Sequence, residues 1–179
     1  MLVLAVKGSP RAEGKTNRFI DEYLRGVSDA GNEIKIYDIG NKPLLGCQAC
    51  YVCKQTVTDC VIDDELKDYF SDLHTASALI VGAPNYASSV CGQMVSFMNR
   101  HYSLINEDRS VRIPSGIKVT GVFAQGQQDK EKYIENYRWF MSDFTRRHME
   151  LQDIIVLTSA DDEAKMLAQA YEMGLSLFA

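Results

Sequence analysis

Cys47, Cys50 and Cys53 recur at intervals of three in Cys47-Gln-Ala-Cys50-Tyr-Val-Cys53, and Cys60 follows seven residues on. Thiolates gathered this tightly select iron–sulfur clusters, zinc or copper(I) over hard cations. A [4Fe–4S] cubane takes four thiolates aimed at one compact body, and two C-x-x-C steps plus one more cysteine supply that count. Zinc with four cysteines is the nearest rival. Its structural sites usually join two separated C-x-x-C pairs through a longer spacer, whereas here the middle cysteine is shared between steps. Unliganded or disulfide-paired thiols remain a third reading. Gly46 and Ala49 let the backbone wrap closely, and Lys42 and Lys54 stand ready to offset thiolate charge.

A second constellation lies at Gly8-Ser-Pro-Arg-Ala-Glu-Gly14-Lys15-Thr16-Asn17, where a strand gives way to a helix. Helix N-termini present free N–H groups and a positive dipole, the conditions for binding a phosphate. Ser9, Thr16 and Asn17 add polar side chains, and Arg11 and Lys15 add charge. A Walker A loop is a near miss, with Ser9 where its first glycine belongs and no magnesium-binding Asp at the end of the Leu79–Pro84 run; the dinucleotide fingerprint G-x-G-x-x-G is absent. The competing structural reading is a glycine-rich turn followed by a helix capped at Thr16. Two further loops follow apolar runs. In Pro84-Asn-Tyr-Ala-Ser88, Tyr86 offers a ring while Asn85 and Ser88 offer hydrogen bonds, although alone these residues make an ordinary polar turn. In Phe123-Ala124-Gln-Gly126, the glycine permits close backbone approach to a ligand.

These loops require a frame. Strands are predicted over Leu2–Val6, Glu33–Tyr37, Ala78–Gly82, Lys118–Phe123 and Leu151–Leu157. Between them, Phe19, Ile20, Tyr23, Leu24 and Val27 recur at helical spacing, as do Leu66, Tyr69, Phe70 and Leu73. Val90, Met94, Phe97 and Met98 form a third set, and Tyr133, Tyr137, Phe140 and Phe144 a fourth. A last helix, roughly 161–176, places Leu167, Ala168, Tyr171 and Leu175 on one side. This alternation predicts an α/β, flavodoxin-like, doubly wound five-stranded parallel sheet of order 2-1-3-4-5 with helices on both faces. The chain reads as a single domain, 1–179, with a cysteine-rich insertion at about 40–60. Unpatterned stretches of roughly 20 residues are uncommon in compact domains unless functional.

Gly-Ser-Pro-Arg…Gly-Lys-Thr-Asn, the four-cysteine run ending Cys60-Val-Ile-Asp-Asp64, Gly82-Ala-Pro-x-Tyr86 and Met94-x-x-Phe-Met-Asn-Arg100 together resemble the iron–sulfur flavoprotein family. That family lies within the NADPH-dependent FMN reductase-like flavodoxin-fold group. The resemblance covers roughly residues 1–130, and the cysteine signature is its most specific part. It implies that Ser9, Arg11, Lys15, Thr16 and Asn17 hold the phosphate of FMN. Pro84, Asn85, Tyr86, Ala87 and Ser88 would line the isoalloxazine, and the loop of Ala124 and Gly126 would close one side. Cys47, Cys50, Cys53 and Cys60 would ligate a [4Fe–4S] cluster. Lys15 stands where many members carry Asn, and Asn85 and Ala87 replace apolar or bulkier residues. FMN is expected over FAD, since no second glycine-rich element serves an adenosine half.

No catalytic side chain is expected, because cofactors of this kind carry the chemistry themselves. A ferredoxin-like donor or NAD(P)H, a small-molecule acceptor and a homodimer or homotetramer complete the expectation. Cys91 reads as a small buried hydrophobe. His74, His101 and His148 share no spacing and read as packing or surface residues. The net charge of −5, with no basic face, argues against nucleic acid as a partner. The longest apolar runs are strand-length, so no membrane segment is predicted, and a cytoplasmic location follows.

Overall fold

The computed structural model describes all 179 residues. Five strands form one parallel sheet: β1 (Leu2–Lys7), β2 (Glu33–Asp38), β3 (Ala78–Tyr86), β5 (Lys118–Ala124) and β6 (Glu150–Leu157). Their spatial order is β2-β1-β3-β5-β6, the flavodoxin-like order expected. A short strand absent from the sequence reading, β4 (Ser89–Val90), folds back antiparallel on the end of β3 through Ala87 and Ser88. The hairpin continues β3 four residues past its expected end at Gly82.

Central strands of such a sheet are buried on both faces, and their apolar side chains alternate accordingly. Val3, Ala5, Ala78 and Ile80 pack beneath α1 (Lys15–Asp29) and α6 (Glu163–Leu175). Leu4, Val6, Leu79 and Val81 pack beneath α3 (Lys67–Leu73), α4 (Gly92–Arg100) and α5 (Ile134–Thr145). A single helical turn, α2 (Val52–Gln55), sits inside the cysteine-rich insertion. No helix is long and apolar enough to cross a membrane.

The predicted face of the last helix needs correction. Met166, Ala170 and Gly174 are its buried residues, while Ala168 and Leu175 are exposed and Leu167 and Tyr171 half-buried. The cause is a close crossing with α1. A Cβ at Gly174 would lie 1.9 Å from Tyr23 O, and one at Gly26 would lie 2.2 Å from Tyr171 O. The seam is set by what lets two backbones touch, and not by the largest side chains. Thr16 is likewise not the cap of α1: Gly14 is the N-cap, and Thr16 is buried in the first turn.

Candidate functional site

The carboxyl ends of β1, β3, β5 and β6 meet at one edge of the sheet, where open α/β sheets bind ligands. There Ser9, Arg11, Gly14, Lys15, Thr16, Pro84, Asn85, Tyr86, Ala124, Gln125, Gly126 and Leu157–Ser159 line one open cleft. The structure thus brings together most of the residues proposed for a flavin. Three lie elsewhere. Asn17 is buried beneath the first loop and shapes it, donating through Nδ2 to Arg11 O at 3.0 Å. Ala87 and Ser88 form the hairpin tip beside the cleft.

The first loop suits an anion. Gly14 caps α1 without a side chain, so the first-turn N–H groups face no side-chain acceptor. Lys15 Nζ donates to Thr158 O, tying the helix start to the loop after β6. Thr158 is in turn fixed by its own N–H, which donates to Asp161 Oδ2 at 2.6 Å. Burial pushes the Asp161 carboxyl up, yet bonds from Lys130 and Thr158 outweigh it and hold the group below its ordinary range. Thr158 and Ser159 had no motif to announce them, but extending the carboxyl-edge rule to the fifth parallel strand would have found them.

The opposite wall hangs on Tyr137 of α5. Its hydroxyl accepts from Asn85 Nδ2 at 2.9 Å and donates to Gln125 Oε1 at 2.8 Å. Gln125 passes the chain on, donating to Asp129 O at 2.7 Å. Burial raises the Tyr137 pKa to about 12, so the hydroxyl stays protonated and able to donate. Asn136 Nδ2 donates to Ser88 O at 2.7 Å, holding the hairpin tip. That tip needs holding, because Ala87 and Ser88 both adopt the left-handed region, at φ 48° and 66°.

The four clustered cysteines line a second, more enclosed cavity together with Tyr51, Arg100, Tyr102 and Ser103. None is in a disulfide: Cys53 is buried, Cys60 half-buried, and Cys47 and Cys50 are exposed. The backbone around them is tightly wound, with Ala49, Tyr51 and Val57 all left-handed at φ between 51° and 59°. Such conformations in non-glycine residues persist only where surroundings over-determine them. Three cations do so here. Lys54 Nζ donates to Tyr102 O at 2.6 Å, Arg112 donates to Cys53 O at 2.6 Å, and Arg100 Nε donates to Cys60 Sγ at 2.9 Å. Burial pushes the Cys53 thiol up, while Lys54 and Arg112 pull against it. No three His, Cys, Asp or Glu side chains are gathered as ligands of a single ion.

Cys91 is buried, its thiol facing Gly8 O at 3.4 Å, and burial raises its pKa, as suits a packing residue. His101 is wholly buried, with Nδ1 2.9 Å from Asp143 and Nε2 3.1 Å from the Tyr69 hydroxyl.

A flavodoxin-like sheet with a helix N-terminus and converging loops at its carboxyl edge defines a class of open α/β protein built to receive a ligand, a phosphate-bearing one above all, at that edge. Residues 1–140 match the model of the NADPH-dependent FMN reductase family, and the chain belongs to that family. Membership makes it a flavoprotein oxidoreductase. It is 28% identical over 138 residues to an iron–sulfur flavoprotein of Methanocaldococcus jannaschii, covering 76% of this chain and 71% of the relative. Among solved structures, an NAD(P)H:quinone oxidoreductase from Methanothermobacter marburgensis superposes with a TM-score of 0.73 at 14% identity, covering 100% of this chain and 98% of that one. An archaeal flavodoxin superposes at 0.61 and 14% identity, covering 99% and 96%. At these identities the superpositions speak to the fold alone.

Proposed function

We propose that this protein is an iron–sulfur flavoprotein, holding FMN in the cleft and a [4Fe–4S] cluster on Cys47, Cys50, Cys53 and Cys60. The observation that carries the reading is the shared cavity of the four unpaired thiols. A cubane takes one thiolate at each of four irons, so the sulfurs need not converge on one point as a mononuclear tetrahedral site demands. The similar Methanocaldococcus protein, itself an iron–sulfur flavoprotein, adds support.

Bound together, the two groups would supply one- and two-electron redox chemistry between a donor and a small-molecule acceptor. The chain's own part is placement. Ser9, Arg11 and the start of α1 would receive a phosphate, Asn85 and Tyr86 would border the ring, and the cysteine loop presents its four unpaired thiols to one cavity. A ferredoxin-like protein is the proposed donor. Direct reduction by NAD(P)H, without a working cluster, is the second reading, favoured by membership of a family described as NADPH-dependent. Assembly into dimers or tetramers is part of the proposal, supported by the exposed Leu45, Tyr51, Val57 and Val61 around the thiol cavity and by Trp139 on α5.

Cys53→Ala tests the assignment. The variant, purified without oxygen, should retain FMN yet lose iron and sulfide, and its flavin should be reduced far more slowly by reduced ferredoxin but normally by dithionite. Undiminished reduction by ferredoxin would reassign the cysteines to a structural role. Rapid bleaching of the parent flavin by NADPH would favour the second reading.

A further inference from the structure

Arg100 closes α4 and is buried to 1% exposure, although a guanidinium is among the costliest groups to desolvate. Its surroundings account for all five N–H donors. Nε donates to Cys60 Sγ at 2.9 Å. Nη1 donates to Leu45 O at 3.2 Å and to Asp64 Oδ2 at 2.7 Å. Nη2 donates to Ile62 O at 3.3 Å and to Asp64 Oδ1 at 3.3 Å. The planar fork of arginine allows such a set, and lysine could not reproduce it.

These partners are not a random sample of the neighbourhood. Leu45 lies two residues before the first clustered cysteine, and Ile62 two after the last. One side chain thus grips both stems of the cysteine loop and one of its four thiols. The loop itself has no regular ladder beyond the single turn of α2, so few backbone hydrogen bonds hold its shape. Lys54 and Arg112 pin its middle to residues 102–106, but neither donates to a sulfur.

We propose that Arg100 is the positioning residue of the cysteine site: it fixes Cys60 and both loop stems, and sets a buried positive N–H against one cluster ligand, raising the cluster's reduction potential. The inference rests on the cluster reading above. Hydrogen bonds and positive charge at ligand sulfur stabilise the reduced, more negative cluster, so removing them disfavours reduction. Asp64 works in the opposite sense, neutralising part of the guanidinium field through its bidentate pair.

Two variants separate these effects. The double variant Arg100→Gln with Asp64→Asn removes both charges together and leaves no buried charge unpaired. Asp64→Asn alone keeps the guanidinium and removes its counter-charge. After anaerobic reconstitution with iron and sulfide, cluster content, loss rate in air and potential are measured beside FMN content. The double variant should keep FMN, lose its cluster several-fold faster, and show a cluster potential lowered by about tenfold in the reduction equilibrium, about 59 mV for one electron. Asp64→Asn should shift the potential upward. A merely structural role would lower thermal stability and move neither potential. Unchanged potentials in both variants overturn the proposal, and if the double variant does not fold, the lack of an upward shift in Asp64→Asn overturns it alone. A parent protein that takes up FMN but no iron overturns the cluster reading itself, and this proposal with it.

Discussion

Replacing Tyr137 by Phe removes one oxygen from the hydrogen-bond network behind the Asn85–Gln125 wall of the cleft and nothing else. The ring keeps its stacking on Phe123, with centroids 4.3 Å apart and planes 2° from parallel. Two partners are stranded unequally. Gln125 is buried, so its Oε1 loses its only donor without gaining water, while Asn85 is half-buried and recovers part of its hydrogen bonding from solvent. A buried polar group left unpaired costs about 1–3 kcal/mol, which puts the loss near ~2 kcal/mol here. For a chain of this length that is a fall of about 4–8 °C in Tm. The freed Asn85 amide no longer arrives preset at the cleft, and losing one such hydrogen bond, about 1 kcal/mol, weakens FMN binding about fivefold. Thermal unfolding of apo protein and fluorescence titration with FMN measure the two effects separately. A Tm within about 1 °C of the parent would refute the accounting. A normal drop in Tm with unaltered FMN affinity would show that the network stabilises the wall without orienting Asn85.

Gly174→Ala drives a methyl to within 1.9 Å of Tyr23 O, against backbone that cannot swing aside, so α1 and α6 must separate. Denaturant titration should show a loss at or above the usual ~1–3 kcal/mol of overpacking, with FMN binding retained; a neutral result would contradict the close crossing. Burial lowers the His101 pKa from 6.5, overriding the opposing hydrogen bond that its Nδ1–H donates to the Asp143 carboxylate. The folded state therefore binds the proton less tightly than the unfolded state. This contribution is complete above about pH 6.5 and is lost as pH falls toward the depressed folded value. Urea unfolding from pH 8 downward should show stability declining below about 6.5 in the parent and a flatter profile in His101→Phe. Equal slopes in the two proteins would refute the assignment.

The parallel sheet was legible because its central strands β1, β3 and β5 are buried on both faces and read as short apolar runs, and α1 because all five residues of its predicted stripe are large and buried. The stripe of α6 misled for a physical reason. Its contact with α1 is made through Gly26 and Gly174, and hydrophobic periodicity gives no weight to the residue whose missing side chain makes the contact possible. Tyr137 was seen as one more aromatic of the α5 face. Its ring is core, but its hydroxyl reaches Gln125, 12 residues back, and Asn85, 52 residues back, and no local pattern encodes such pairings. The hairpin tip escaped notice because Ala87 and Ser88 are not the Asn-Gly or Gly residues by which tight turns are recognised. The cysteines, by contrast, announce themselves by residue type and spacing, and their environment does not: Arg100 and Asp64 stand 36 residues apart and meet only in the fold.

Helix α4 gives the two sites a common mount. At its start, the Cys91 thiol faces Gly8 O, and Gln93 Nε2 donates to Gly40 O at 3.1 Å. Met94 packs so tightly on Gly8 that a Cβ there would lie 2.3 Å from its Cγ. At its end, Arg100 grips Cys60 and the loop stems. Between Gly92 and Arg100 the helix rises roughly 12 Å at 1.5 Å per residue, a span set by backbone hydrogen bonds and not by flexible loops. The loop leaving β2 adds a second tie, with Asn41 Nδ2 donating to Pro10 O at 2.7 Å and Gly40 pressed against Ser9 O, where a Cβ would come within 2.1 Å. The phosphate loop and the cysteine loop are therefore each built against the same helix and joined to each other at Gly40–Asn41. Irregular segments held at a fixed separation need a rigid element between them, and in this chain α4 is placed to be that element for the two loops, whatever groups they carry.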